Sequence, residues 1–458
     1  MDTRRKKKAA AIHAEITREV AQWVHIIING QRKTGYVDLE AVEMLTRSAM
    51  HHAGATAITE FLQFSAPVAS QRRLPCSCGH HARYLELRSK KVLTAVGQVQ
   101  VSRPYYLCPH CGTGQFPADV ELDIEHTEFS PGVRRMMATV GQESPFKRGQ
   151  QQMKDLADLE VTAKAVERAS EAIGSDIAAR AQQRITAAIQ LVLPTVIGKP
   201  IPTLYIEMDG TGISMVKKET VGRKGKTAGE PAHTREVKLG CVFTQAKCDQ
   251  EGFAIRDPES TTYVGAIETA EEFGKRLYLE ALDRGWDHAK RKVVIADGAE
   301  WIRNLADQHF PSAIQIVDLF HARQHLWDLA RKLHPNDDVK QKQWMAVHQY
   351  LLDNGKVKKL NVALNDIAAN HPEVAEKFRT EAEYFRRNAM RMRYPKFRRL
   401  HLFVGSGVIE AGCKTVIGKR LKQSGMFWTV KGANAIIALR CCQINGRFED
   451  YWEGCRVA

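Results

Sequence analysis

Three carboxylic acids, Asp209, Asp297 and Glu410, are the residues of this 458-residue chain best placed to do chemistry together. Asp209 closes the apolar run TLYIEMD (203–209), Asp297 closes KVVIAD (292–297), and Glu410 lies in SGVIEAGCKTVIGKRLKQ (406–423). In an α/β sheet, ligands and reactive groups collect at the strand ends. Three ionised carboxylates converge only with cations between them, and two divalent ions about 3.5–4 Å apart would relieve the repulsion and supply phosphoryl-transfer chemistry. One Mg²⁺ (or Mn²⁺) would activate an attacking water or 3′-hydroxyl, and the other would stabilise the leaving oxygen. Either aspartate alone, followed by glycine, reads as an ordinary turn; the three together read as a metal site. Glu207, two residues before Asp209 and on the same strand face, is a backup ligand or a structural neighbour.

A second set of ligands is sulfur. Cys76 and Cys78 form one close pair, Cys108 and Cys111 another, each followed by a glycine, with strand-forming residues between. Tetrahedral Zn²⁺ takes four such thiolates, and glycine after a knuckle lets the backbone turn back toward sulfur. The spacing implies a structural zinc ribbon; His80, His81 or His110 could replace one sulfur. The other six cysteines are scattered, and the N-terminus lacks the apolar run of an export signal, so metal ligation is favoured over disulfides.

The elements that must position these groups can be read from the periodicity. Residues 9–64 step apolar positions by three and four, as helices do, and helical patterning returns from about 131 to 193. After Pro200 the pattern changes. TLYIEMD is a buried strand ending in the turn Gly210-Thr211-Gly212; EVKLGCVFT (236–244) and STTYVGAI (260–267) are further strands. TAEEFGKRLYLEALDRG is a helix, KVVIAD a strand, AEWIRNLADQHF a helix and AIQIVD (313–318) a fifth strand. About 80 charged, largely helical residues precede the helix of Glu410. The fold class is α/β. The connectivity is that of an RNase H-like core with a helical insertion, preceded by helical and zinc-ribbon-like modules. The expected divisions are 1–70 helical, 71–125 zinc-ribbon-like, 126–198 helical with a possible helix-turn-helix, 199–321 first part of the core, 322–402 insertion, and 403–458 last part of the core.

Lysine and arginine number 67 against 52 acids, a formal charge of +15, which favours a polyanionic partner. From Arg386 to Phe448 there are fourteen Lys/Arg and one acid, Glu410. A lone carboxylate in a basic stretch fits a metal beside a phosphate backbone. Lys164 and Arg168 would lie exposed on the second helix of the possible helix-turn-helix (145–174). Arg391, Arg393, Arg398 and Arg399 are interleaved with Tyr394 and Phe397, a mixture suited to phosphate contact and stacking. Lys414, Lys419, Arg420 and Lys422 continue the basic run on the Glu410 helix, and Trp428 either stacks on an unpaired base or packs in the core. Gly225-Lys226-Thr227 is not a nucleotide-binding loop, because Thr220 stands where its first glycine is required, so no ATP is expected. The most apolar segment, 185–198, is too short to span a membrane.

The blocks MDGTG (208–212), VIADGAEWI (294–302), IQIVDLFHARQHLW (314–327) and SGVIEAGCKTVIGKRLKQSG (406–425) resemble a bacterial insertion-sequence transposase of the Kra-type group, related to Mutator-like transposases. The resemblance runs from about residue 74 to the C-terminus. It implies a DDE triad on Asp209, Asp297 and Glu410, and an all-helical insertion before the last acid. It also implies a Cys-or-Asp, two residues, His signature at Asp318–His321, with His321 contacting the scissile phosphate or ordering the site. The expected activity is metal-dependent cleavage of element ends and strand transfer into target DNA. The expected setting is the cytoplasm of a bacterium, at the nucleoid, with the chain acting as a homodimer or higher oligomer that pairs two element ends. An RNase H-like nuclease or resolvase, or an inactive transposase-derived DNA-binding protein, are the competing readings.

Overall fold

The computed structural model describes residues 3–189 except 31, 34 and 35, then 201–225 and 230–457. Two compact units emerge, Met1–Ser170 and Glu171–Ala458. The boundary falls inside the helical stretch expected as one module over 126–198. Most of the apolar segment 185–198, and Lys226 with Thr227, lie outside the described residues. Among those described, no helix is long and apolar enough to cross a membrane.

The first unit opens with α1 (Thr3–Gly30) and α2 (Leu39–Phe61), the latter capped by Asp38, whose carboxylate accepts from the Ala41 amide at 3.2 Å. An antiparallel sheet follows in the order β1 (Arg73–Pro75), β2 (His81–Thr94), β3 (Gly97–Leu107), β4 (Gly114–Gln115). Its alternation buries Val92, Val99 and Val101 against Ile58 and Leu62. After a short helical turn at Pro117–Glu121, the unit continues with α3 (Pro131–Glu143), α4 (Phe146–Ala157) and α5 (Ala163–Ile189), which runs past the boundary. α4 ends on Asp158 in the left-handed region (φ 55°), and the Thr162 hydroxyl accepts from the Ala165 amide at 3.0 Å to start α5. Val133, Met137, Met153, Val161 and Val166 form the core beneath this helix, turn and helix.

In the second unit, β5 (Ile201–Ser214), β6 (Thr234–Gln245), β7 (Thr262–Ala266), α6 (Ala270–Asp283), β8 (Ala289–Ala296), α7 (Glu300–His309) and β9 (Ile314–Val317) follow in the expected order. They form one mixed sheet, β7-β6-β5-β8-β9, with β5–β6 and β6–β7 antiparallel and β5–β8 and β8–β9 parallel. One face carries Leu204, Ile206 and Met208 and is covered by α6 and α7 through Phe273, Leu277, Ile302 and Leu305. The other carries Tyr205, Glu207 and Asp209, as the two-residue period of a strand requires.

The expected turn at Gly210–Gly212 is absent. β5 instead runs to Ser214, paired with β6 from Thr203↔Gln245 to Ser214↔Thr234. On its other side, the pairing with β8 stops at Glu207↔Ile295. Asp209 therefore lies where β5 overshoots its parallel neighbour.

A helical insertion follows β9: α8 (Leu319–Leu333), α9 (Asp338–Asp353), α10 (Val357–Asn370) and α11 (Ala375–Asn388). The chain returns as α12 (Gly407–Gly412), a π-helical turn (Cys413–Gly418) and α13 (Lys419–Leu421). It ends in α14 (Val430–Ile444) and α15 (Phe448–Val457). α14 closes the open edge of β7. The Asn434 carboxamide pairs with the Ile267 backbone (2.7 and 3.3 Å) and that of Asn445 with the Tyr263 backbone (2.8 and 2.9 Å).

Candidate active site and zinc centre

In the second unit, Asp209 and Asp297 come from neighbouring parallel strands. Asp297 follows the last residue of β8, and its carboxylate accepts from the Ala299 amide at 2.8 Å, which fixes the turn into α7. Asp209 accepts from the Gly210 amide at 2.6 Å and from the Cys413 thiol at 3.6 Å. Burial raises the Asp209 carboxyl above its ordinary range; the Gly210 amide and Cys413 oppose this, the Asp297 charge adds to it, and His321 lowers it. Asp297 and His321 are thus within electrostatic reach of Asp209.

Glu410 rides on α12, which packs over the Tyr205–Glu207–Asp209 face. Its carboxylate is exposed and has no hydrogen bond or ion pair among the described residues. It acts electrostatically on Glu207 and Cys413. The three acids do not bring their oxygens within 4.8 Å of one another; among the described residues only cysteine and histidine groups do so. Repulsion among uncompensated carboxylates favours such spacing.

Glu207 is fully buried, and one of its oxygens accepts from the Ile409 amide at 2.8 Å while the other has no partner. Burial pushes its carboxyl up to about 8, the Ile409 amide opposing and the Asp318 and Glu410 charges adding. With one oxygen committed to the Ile409 amide, Glu207 ties β5 to the start of the helix that carries Glu410.

His321 stands exposed in the first turn of α8, its amide donating to Asp318 at 2.8 Å. Its ring lies 5.0 Å from that of His325. His325 Nδ1 is 2.7 Å from a Glu381 oxygen, and its ring stacks on Tyr384 at 4.2 Å. The Tyr384 hydroxyl donates to the Asp297 carbonyl at 2.9 Å. This support from α11 was missed in the sequence: Glu381 and Tyr384 are more than 50 residues from His325.

Residues expected to face DNA divide in two. Arg393, Arg398, Arg399, Lys414, Lys419 and Lys422 are exposed, as are Lys164 and Arg168 in the first unit, where Lys164 pairs with Glu167 at 2.8 Å. Arg391 is half-buried and bonded to Asn388. Arg420 and Trp428 correct the expectation: they are 0% and 6% exposed, with the indole N–H donating to the Leu421 carbonyl at 3.1 Å and the guanidinium 5.1 Å from the indole ring. Tyr394 and Phe397 are also core residues, so they cannot stack on bases. A basic stretch reads as surface in the sequence, yet its aromatic positions fall on the inner side of short helices.

In the first unit, Cys76 and Cys78 sit in the loop before β2, Cys108 and Cys111 in the loop after β3. Their sulfurs gather within 4.8 Å, with Cys76–Cys111 at 3.5 Å and Cys78–Cys108 at 3.6 Å. Four thiolates at about 2.3 Å from a tetrahedral Zn²⁺ lie about 3.8 Å apart, while a disulfide needs about 2.05 Å. Gly79 (φ +83°) and Gly112 (φ +71°) supply the left-handed residues that fold each knuckle back. The Thr113 hydroxyl and amide draw the Cys111 thiol down to about 6. This group could hold zinc, and the donor set fits it. Cys78, His80 and His110 form an overlapping group, with the two imidazoles stacked at 3.7 Å.

No family model matches the chain, and no curated protein matches its sequence. Among solved structures, a match is the Drosophila P element transposase strand transfer complex, 10% identical over 74% of this chain and 84% of that one, with a TM-score of 0.24. A match this distant leaves the function to be argued from the site.

Proposed function

We propose that the chain is a metal-dependent DNA transposase of the insertion-sequence type, with an RNase H-like core whose Asp209, Asp297 and Glu410 hold two Mg²⁺ or Mn²⁺ ions. The observation that carries this reading is the placement of Asp209 and Asp297. Asp297 follows the end of β8 and Asp209 lies two residues beyond the last β5–β8 pair, close enough for one charge to raise the other's carboxyl, with the Glu410 helix docked on the face that Asp209 shares. Strand order and connectivity are those expected of such a core.

Bound cations would activate a water or 3′-hydroxyl and stabilise the leaving oxygen at a phosphodiester. Asp209 and Asp297 supply fixed hard-oxygen ligands, since each already has one oxygen oriented by a backbone amide. Glu410, free of side-chain partners, joins them from the helix. His321, exposed beside them and backed by His325, faces the phosphate. Lys414, Lys419 and Lys422 hold the DNA backbone near the cleaved end, and the α4–α5 pair presents Lys164 and Arg168 to duplex DNA. The partners are element terminal repeats and target DNA, bound by a homo-oligomer, with zinc at the four cysteines.

The test is Mg²⁺- or Mn²⁺-dependent cleavage of DNA carrying the flanking element ends, followed by joining of a labelled 3′ end to a target plasmid. Asp209→Asn and Asp297→Asn are expected to lower cleavage by 10³-fold or more, on the order of 4 kcal/mol of barrier, with DNA binding retained. Cleavage without joining would make the chain a nuclease or resolvase. DNA binding with no cleavage under either metal would make it an inactive transposase derivative, and cleavage surviving in Asp209→Asn would remove the triad.

A further inference from the structure

The Glu410 carboxylate has no side-chain partner among the described residues, so its reach towards Asp209 and Asp297 depends on where the start of α12 is held. That backbone is held in an unusual way. Ser406 occupies the N-cap position of α12 yet makes no capping bond to its own helix. The third amide of the helix, Ile409, which a capping serine would satisfy, instead donates to Glu207 of β5 at 2.8 Å. Both the Ser406 amide (2.5 Å) and its hydroxyl donate to one oxygen of Asp318.

Asp318 is fully buried, and its second oxygen accepts from the His321 amide at 2.8 Å, capping α8. One carboxylate thus binds the helix start that carries His321 and the helix start that carries Glu410, 88 residues apart. The same junction is stitched by the Leu319 amide donating to the Val404 carbonyl at 2.9 Å. Phe320 packs over Gly405, where an added Cβ would lie 2.8 Å from the ring.

We propose that Asp318 and Glu207 are positioning residues: together they fix the backbone that carries Glu410, and Asp318 locks it to His321 by clamping both ends of the helical insertion. The assignment rests on the metal site proposed above. It accounts for two buried acids, Glu207 on β5 and Asp318 just after β9, that touch no basic side chain in the hydrogen bonds they make, and for a serine cap turned away from its own helix. Without the clamp, the insertion is free to carry Glu410 away from Asp209 and Asp297.

The test uses the full chain and two readouts that need no catalysis: amide hydrogen exchange, and Mn²⁺ binding followed by electron paramagnetic resonance. Asp318→Ala and Glu207→Ala are expected to speed exchange at Ser406–Glu410 by 10-fold or more while β5 and β8 stay protected, and to weaken Mn²⁺ binding by 10-fold or more. Glu207→Gln keeps an acceptor for the Ile409 amide and should restore both towards wild type. Ser406→Ala removes only the hydroxyl bond and leaves the core intact, so it should give an intermediate exchange rate even if the alanine variants fold poorly. Unchanged exchange at Ser406–Glu410 in all these variants overturns the clamp. So does an unchanged Mn²⁺ affinity in folded Asp318→Ala and Glu207→Ala, which would leave the two acids a purely structural role. If wild type binds Mn²⁺ no more tightly than Asp209→Asn, the metal site itself fails, and exchange alone then decides the clamp.

Discussion

Trp428 lies among lysines and directly after Phe427, which is 66% exposed, yet the two aromatics have opposite fates. Phe427 points outward, while Trp428 pairs its backbone with Ser214 at the end of β5 and carries its ring inward. Truncation to alanine should therefore empty a core site: Trp428→Ala is expected to cost about 3–5 kcal/mol in urea unfolding while leaving the DNA affinity of the folded fraction unchanged. A stable variant with weakened DNA binding would return the indole to the interface. His348 in α9 makes a pH-dependent counterpart. Burial holds its imidazole below the ordinary range, with the Trp344 carbonyl accepting from Nδ1 at 2.7 Å and opposing the shift. Because the folded state takes up its proton later than the unfolded chain, this stability is present above about pH 6.5 and lost as pH falls through the folded value. His348→Gln keeps a donor for the carbonyl and should flatten the fall in melting temperature between pH 7 and 5, whatever it does to the absolute value at pH 7.

At the scale of elements, α12 and the turn after it must approach the sheet closely, and Gly412 is where that approach is tightest. A Cβ there would fall 2.4 Å from the Tyr263 ring, on a strand whose backbone is pinned by Asn445. Gly412→Ala should thus push the Glu410 helix off the sheet, costing about 1–3 kcal/mol. Cleavage should fall by more than that loss of folded protein explains, read as cleavage per folded molecule at matched temperature. An active, fully stable Gly412→Ala would mean that the helix docks elsewhere. How far such elements are legible beforehand depends on what encodes them. The central strands stand out in the sequence because their buried stretches, such as Leu204–Ile206 of β5 and Val293–Ala296 of β8, read as short apolar runs. The candidate zinc ligands are equally plain, since four cysteines fall in two close pairs. The end of β5 was misread because Asp209-Gly210 has turn chemistry; only pairing with β6, which extends to Thr234, keeps Gly210 and Gly212 in the strand. The anchors of α12 are invisible for another reason: Glu207 acts 202 residues away and Asp318 acts 88 residues away, and no periodicity spans such gaps.

For the whole molecule, the charge of +15 overstates what is offered to a polyanion. Of the fourteen basic residues between Arg386 and Phe448, Arg386 and Arg387 both pair with Glu383 at 2.6 Å, Arg447 pairs with Glu280 at 2.6 Å, and Arg420 and Arg440 are buried. Arg391 is half-buried and held by Asn388. Lys414, Lys419 and Lys422, by contrast, have no carboxylate partner among the described residues and follow Glu410 along one helical stretch. Neutralising a phosphate releases about 0.9 of a counterion on duplex DNA, so each true contact steepens the dependence of affinity on salt. The double substitution Lys414→Ala with Lys419→Ala should accordingly lower the slope of log affinity against log salt by about 2, while Arg386→Ala with Arg387→Ala, equal in charge removed, should leave it nearly unchanged. Both are measured by fluorescence anisotropy on the same DNA across 50–200 mM salt, as a range over which about 6–10 contacts change affinity by 10³–10⁵. Equal slope losses from the two pairs would show that net charge rather than the placement of unpaired cations governs binding, and the face beside Glu410 would lose its claim to the DNA.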